Sequence, residues 1–268
     1  MSLSVLVVVY NQTVDEILCL EPALSAPSVG QVVVCDNSTC DNDNAKRAER
    51  LGITYLDMHG NAGLSKAYNA GVAKCTGDVI CIFDDDTTLQ QDYFDAVASL
   101  WNSSISWDIA LPLVMDGTEI LSPCLFNGFR SRTFTSLTQI KDSLRMSGIN
   151  SGMAIKRSLF SRVAYDESLF LDLVDHRFIE DARNAGASIT YLGGPVLHQE
   201  YSLRSDSCDA AIKRFGIFEK DAKTFYSNTA LRRIYCSLML AQRRLKLVSR
   251  YGIVRLRKGE SVSEGGTQ

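Results

Sequence analysis

Four Val- and Ile-rich runs in the N-terminal third, each broken off by polar residues, restrict what this chain can fold into. LSVLVVV (3–9), QVVVC (31–35) and DVICIF (78–83) are apolar at nearly every position rather than at alternate ones, and ITYLD (53–57) is a shorter, more mixed fourth run. That is the pattern of strands buried on both faces. Helical segments over 13–24, 45–51 and 64–75 separate them, the last opened by Gly63. Strands alternating with helices predict an α/β fold with a Rossmann-like, mostly parallel sheet and helices on both faces. Ligands of such sheets sit beyond the carboxyl ends of the strands. The polar residues at those ends are Tyr10-Asn11, Asp36-Asn37-Ser38, Asn61 and Asp84-Asp85-Asp86. Four strand ends therefore converge on one expected cleft.

The second half is less regular. IALPLV (109–114) and TEILSP (118–123) predict two strands around Asp116-Gly117. Residues 125–147 are polar and poorly periodic and read as a loop region over the site. GINSGMAIK (148–156) reads as a strand, LVDHRFIEDARNAG (173–186) as a helix stopped by Gly186, and SITYL (188–192) as a strand. A last helix is expected over 231–251 with Gly252 as its stop, then a disordered end at 259–268.

The 268 residues are 46% hydrophobic and 22% charged, which excludes a disordered chain, a collagen and a small disulfide scaffold. The net charge of −3 makes no nucleic-acid binder. It is unevenly spread: residues 229–268 carry +7 and the first 228 carry −10. Eight cysteines lack CxxC or other zinc spacing and several lie inside apolar runs, so buried free thiols in a reducing compartment are expected. LSVLVVV has no basic n-region, and no apolar run has the length of a membrane span. These observations predict a cytoplasmic protein.

Asp84, Asp85 and Asp86 follow a buried strand directly. Adjacent carboxylates repel, so the cluster suits a cation such as Mg²⁺ or Mn²⁺ together with diphosphate oxygens. A helix N-cap is the plainer use of such acids; the place at the ligand edge of the sheet favours the metal. His198, after GGPVL, is either a structural histidine or a ligand. His59 is an exposed residue or a phosphate contact, and His176 adjoins Asp175 and orients it or is solvated. Asp172 and Asp175, three apart, share a helix face, where one serves as a general base or both as dipole partners. Glu180 and Asp181 read as solvated. GNAGLSKAYNAG (60–71) is Gly-rich and leads into a helix, yet is neither a GxxxxGK[ST] loop nor GxGxxG.

Together, VLVVVYN (5–11), VVVCDNS (32–38), GNAGLSKAYNAG (60–71), FDDDT (83–87), INSGMAIKRSLF (149–160) and LFLDLVDHRFIEDARNAG (169–186) resemble the family-two glycosyltransferases of the GT-A fold. The likeness is greatest to bacterial rhamnosyltransferase-like and galactofuranosyltransferase-like members and covers about the first 200 residues. It implies that Val9, Tyr10, Asn11 and Asp36 surround a nucleotide base. Asn61, Gly63, Lys66 and Asn69 would line the nucleotide-sugar cleft. Asp84 and Asp86 would be the outer acids of a DXD motif around Asp85, with Asp86 on Mn²⁺ or Mg²⁺ and His198 as a further metal ligand. Asp175 would be the base. Val174 replaces the first acid of the family's pair, and Arg177 stands where Glu is common, which bears on the acceptor contacts.

The resemblance implies an inverting transfer of a sugar, best matched by dTDP-rhamnose with a UDP-hexose such as UDP-galactofuranose as the alternative. The acceptor would be a glycan or lipid-linked glycan of a bacterial surface polysaccharide. A nucleotidyltransferase would carry a basic Gly-rich loop after its first strand, which VVVYNQT lacks. A non-catalytic nucleotide-sugar-binding or scaffold protein is the rival of another class. The expected organisation is a catalytic domain over 1–228, with a nucleotide-sugar half to about 115 and an acceptor half from 116, then a helical tail over 229–258. In that tail Leu231, Ile234, Leu238, Ala241, Leu245 and Val248 share one helical face, with Arg232, Arg243, Lys246 and Arg250 opposite. The charge predicts contact with an anionic membrane surface, with packing on the catalytic domain or pairing of two subunits as the other uses.

Overall fold

The computed structural model of the chain describes residues 1–140, 145–199 and 207–251. The Gly252 stop, the basic residues Arg255, Arg257 and Lys258, and the end at 259–268 lie outside the described residues. The chain divides into one compact unit over Met1–Arg204 and a second over Ser205–Gln268.

The first unit is built on β1 (Leu3–Val9), β2 (Val29–Asp36), β3 (Thr54–Asp57), β4 (Val79–Asp84), β5 (Ile109–Asp116), β6 (Glu119–Ser122), β10 (Met153–Lys156) and β11 (Ile189–His198). They form one sheet in the order β11-β5-β10-β4-β1-β2-β3, with β6 alongside β5. β1 to β4 are mutually parallel, β11 is parallel to β5, and β10 runs antiparallel between β4 and β5. All seven residues of β1 are buried, six of them apolar and the seventh, Ser4, satisfied by a hydrogen bond donated to Gln31 and one accepted from the Gly77 N–H. Full burial of each such valine or leucine contributes about 1.5–3 kcal/mol.

Helices α1 (Leu20–Ser25), α2 (Asn44–Leu51), α3 (Leu64–Val72), α4 (Asp92–Trp101) and α5 (Val174–Asn184) cover the sheet. On one face Leu3, Val5, Val7 and Val9 join Leu20, Ala23, Tyr93, Phe94 and Val97 in a core cluster. On the other, α3 approaches so closely that a Cβ on Gly71 would lie 2.3 Å from Leu6 Cδ1. This is the Rossmann-like, mostly parallel sheet with helices on both faces that the sequence predicts.

Two local expectations fail, and two further helices had not been anticipated. The helix expected over 13–24 is a 3₁₀ turn, Val14–Glu16, followed by the separate α1. Pro22 cannot donate to the residue 18 carbonyl and is tolerated only in the first turn of a helix, so the helix begins afresh at Leu20. The missing donor leaves the Leu18 carbonyl without a helical partner, while the Leu18 N–H donates to the Asp85 carbonyl. Helix α4 was unanticipated, although Tyr93, Phe94, Val97 and Leu100 carry its buried face. Residues 125–147 hold a small sheet of β7 (Cys124–Phe126), β8 (Ser131–Thr133) and β9 (Met146–Ser147) in place of a plain loop. The other unanticipated helix lies in the second unit: α6 (Cys208–Phe225), which pairs with α7 (Ala230–Tyr251). No described helix is long and apolar enough to cross a membrane.

Candidate active site

Parallel register sets the strand ends level. Val9 lies opposite Asp36, Val8 opposite Asp84, and Asp36 opposite Asp57. Asp36 and Asp84 thus flank β1, two strand spacings or about 9.5 Å apart. β11 reaches the same edge because an irregularity between Tyr191 and Val196, at Gly193-Gly194, resets its pairing with β5. Its last residue, His198, exchanges backbone hydrogen bonds of 3.0 and 2.9 Å with Thr88, just beyond the acids.

Asp36 is buried and well held. Its Oδ2 accepts from Asn44 Nδ2 at 2.7 Å and from the Tyr55 hydroxyl at 3.0 Å, and its Oδ1 from the Ser38 N–H at 2.9 Å. A cleft of about 590 Å³ opens beside it, lined among others by Ser38, Asn42, Tyr55 and His59. Asn11, in the left-handed region at φ 56°, accepts from the Thr39 N–H at 2.9 Å through its side chain, while its own N–H donates to Ser38 Oγ at 2.8 Å. Val9 is buried and Tyr10 exposed. His59 is exposed beside Asp57.

The glycine-rich segment is anchored from several sides. Asn37 Oδ1 accepts from the Ala62 N–H at 3.2 Å, and Asn61 Oδ1 from the Gly63 N–H at 3.2 Å. Leu64 N donates to the Phe170 carbonyl at 2.6 Å. Gly63 has φ +89°, and a Cβ there would stand 2.7 Å from the Phe170 ring, so only glycine fits. Asn69 does not open into a cleft: its amide donates to the Tyr165 carbonyl and to Glu167, and accepts from the Tyr165 N–H. Lys66 is exposed at the start of α3 with no ion pair among the described residues.

The three acids at the end of β4 meet a residue that sequence reasoning passed over. Gln199 Nε2 donates to Asp84 Oδ2 at 2.9 Å and to Asp86 Oδ1 at 3.2 Å. Its Oε1 is left buried without a hydrogen-bond partner among the described residues. The buried Tyr68 hydroxyl donates to Asp84 Oδ1 at 3.3 Å. Burial, with Asp86, Asp85 and Asp175 adding like charge against the Gln199 hydrogen bond, pushes the Asp84 carboxyl up to about 7. Burial and the Asp86 charge push Asp85 up to about 6, opposed by the Tyr10 N–H that it accepts. His198 is not brought to these acids. Its side chain is exposed, because consecutive strand residues face opposite ways and Gln199 takes the inward place. Among the described residues no three His, Cys, Asp or Glu side chains converge as a metal site.

Asp175 lies in the first turn of α5, and its negative charge acts on Asp84, Tyr68 and Tyr165. Its Oδ1 accepts from the His176 N–H at 2.6 Å. The His176 ring stacks on Phe126 at 4.4 Å and meets Ser147 Oγ at 2.8 Å through Nδ1, pinning α5 to the small sheet. Asp172 shares no helix face with Asp175. The helix starts at Val174, after Leu173 at φ 63°. Arg177 pairs with Asp166.

The raised Asp84 carboxyl carries a stability cost with a defined sign. The unfolded group ionises near 3.8 and the folded one near 7, so the contribution of Asp84 to stability is greatest below pH 4 and falls as pH rises from 4 through 7. In metal-free protein at pH 8, Asp84→Asn is expected to raise stability by about 1–3 kcal/mol, roughly 3–8 °C. Thermal unfolding of both proteins from pH 4 to 8 checks this. A difference that does not grow with pH contradicts it.

The sequence profile described as glycosyl transferase family 2 matches residues 4–161, more than half of the chain, and the chain belongs to that family. No curated protein sequence matches it. Solved structures share its fold. The S. aureus TarS 1–349 complex with UDP-GlcNAc is 17% identical at TM-score 0.53, over 94% of this chain and 73% of that one. The mannosyltransferase PcManGT from Pyrobaculum calidifontis, in complex with GDP-Man and Mn²⁺, is 14% identical at TM-score 0.60, over 94% and 76%. GalNAc-T7 with UDP, GalNAc and Mn²⁺ is 11% identical at TM-score 0.62, over 94% and 58%. The chain spans only 44% of the longer TarS structure.

Proposed function

We propose that the chain is a metal-dependent, inverting glycosyltransferase that takes a sugar from a nucleotide donor, with dTDP-rhamnose as the first candidate and a UDP-hexose as the second. The observation that carries this reading is the gathering of Asp36, Asp84, Asp86 and Asp175 around one sheet edge, with Asp175 electrostatically coupled to Asp84. Family membership and the Mn²⁺ and nucleotide ligands of the structural neighbours support it.

The donor set fits a hard divalent cation. Asp84 and Asp86 offer carboxylate oxygens, and turning over the Gln199 amide, whose Nε2 donates to both, would bring its buried Oε1, which has no hydrogen-bond partner among the described residues, to the ion. Mg²⁺-type sites typically use one or two carboxylates and complete themselves with substrate phosphates, so a third protein acid is not required. When bound, the ion neutralises the diphosphate leaving group. In this reading Asp36, Ser38 and Asn11 shape the base and ribose end of the cleft, and exposed Lys66 faces phosphate charge. Asp175 takes the proton of an acceptor hydroxyl. That oxygen bonds to the anomeric carbon as the carbon–diphosphate bond breaks, which inverts the centre. The acceptor is a glycan or lipid-linked glycan of a bacterial surface polysaccharide.

Thermal unfolding against dTDP-rhamnose, UDP-galactofuranose, other UDP-hexoses and the free diphosphates, with and without Mn²⁺, tests the reading. Mn²⁺-dependent stabilisation by a dTDP or UDP sugar supports it and ranks the donors. Stabilisation without any transfer or hydrolysis favours the binding or scaffold role. No shift with any nucleotide overturns the assignment.

A further inference from the structure

The second unit pairs α6 with α7, and three arginines of α7 lie over aromatic rings of α6. The Arg243 guanidinium lies 3.7 Å from the centre of the Phe218 ring, Arg232 lies 5.6 Å from that of Phe225, and Arg244 lies 6.0 Å from that of Phe215. Arg244 also pairs with Glu219. Cys236 and Leu240 are buried on the same side. The outward face carries the large aliphatic residues instead: Leu231, Ile234, Leu238 and Leu245 are 65%, 59%, 68% and 70% exposed. With Ala241 and Val248 they follow a 3-4-3-4-3 spacing over three heptads.

Two features say what covers this face. The first is its narrowness. A two-in-seven seam suits a facing helix, whereas a helix lying on a core or a bilayer carries a wider apolar stripe. The second is the placement of charge. Helix α7 has six basic residues and no acid, so two copies would repel if those charges bordered the seam. Only one of them does: the bordering positions are Tyr235, Ser237, Gln242, Arg244, Ser249 and Tyr251, and Arg244 is paired with Glu219 of its own chain, which Lys223 also contacts. A helix on anionic lipid needs basic residues beside its apolar stripe. Here Arg232, Arg243 and Arg244 are turned onto α6, and Arg233 donates to the Ser227 carbonyl. Lys246 and Arg250 lie away from the seam.

We propose that the outward face of α7 is a self-association seam, on which a second copy of this chain packs its own α7. Each copy presents the same patch to the other, as a two-fold contact requires, and the two helix pairs close into a four-helix bundle. The inference is independent of the donor sugar and of catalysis.

Analytical ultracentrifugation of the 268-residue chain at up to about 100 µM is the test, because dimer stability scales with concentration. The expected species has twice the chain mass. Leu238→Glu with Leu245→Glu is expected to sediment as a single chain with helix content unchanged by circular dichroism. Lys246→Glu with Arg250→Glu, off the seam, is expected to remain paired. Should the glutamates reduce helicity, Leu238→Ala with Leu245→Ala keeps helix propensity and should raise the dissociation constant at least about tenfold. A single-chain mass for the wild type, or a paired mass for the intact seam variants, overturns the proposal. So does a monomer that floats with phosphatidylglycerol vesicles and loses flotation in the seam variants, which would assign the face to lipid.

Discussion

Asp175→Asn is expected to lower kcat by about 10²–10⁴ while leaving donor affinity within about twofold. The carboxylate stands at the first turn of α5 and receives the His176 N–H on Oδ1. An amide oxygen can accept that same hydrogen bond, so the substitution keeps the local geometry and removes only the basicity. The helix is held independently, by the His176 stack on Phe126 and by buried Val174, Phe178 and Ile179. Steady-state kinetics with donor titration by calorimetry separates the two effects. A loss shared equally between kcat and donor affinity would assign Asp175 to ground-state binding. A fall in kcat below tenfold would remove it as the base.

Asp86→Ala is expected to abolish the Mn²⁺-dependent part of nucleotide stabilisation. A ligand at a hundred times its Kd stabilises by about 2.7 kcal/mol. For a domain of this size that corresponds to roughly 5–10 °C, the whole of which should vanish in the variant. The metal-free variant should unfold no lower than wild type, since the substitution removes one of the like charges that act on Asp84 and Asp85. An equal Mn²⁺-dependent shift in both proteins would take Asp86 out of the proposed cation site. A lower metal-free unfolding temperature would show that the Gln199 hydrogen bond to Asp86 is structural.

Much of the fold was legible locally. A run as apolar as LSVLVVV leaves no polar face to turn to water, and β1 is buried at all seven positions. The strand-end polar residues were legible for the same reason: where an apolar run stops, the chain leaves the core. Asp36 and Asp84 are the last residues of β2 and β4.

Periodicity failed where the outcome depended on partners remote in sequence. Residues 125–147 show little alternation because β7, β8 and β9 are two or three residues long, too short for a period to register. Asn69 read as a cleft residue from its motif, yet its amide closes on Tyr165, 96 positions away. His198 drew attention as one of three histidines, while Gln199 reaches the acids. That choice depends on the pairing of β11 with β5 and on the bridge to Thr88, which set which residue faces inward.

The tail shows the same division most plainly. Its 3-4 spacing is a property of the sequence, since side chains at that interval share a helix face in any setting. Which face turns inward is not. The arginines compete for it because guanidinium groups stack on the phenylalanines of α6, and those rings belong to another helix. The parallel α/β core, the acids at its edge and the 3-4 apolar spacing along α7 could be read from local residues alone. Which side chain meets those acids and which face of α7 turns to α6 could not, because both depend on groups brought together only when distant segments pack.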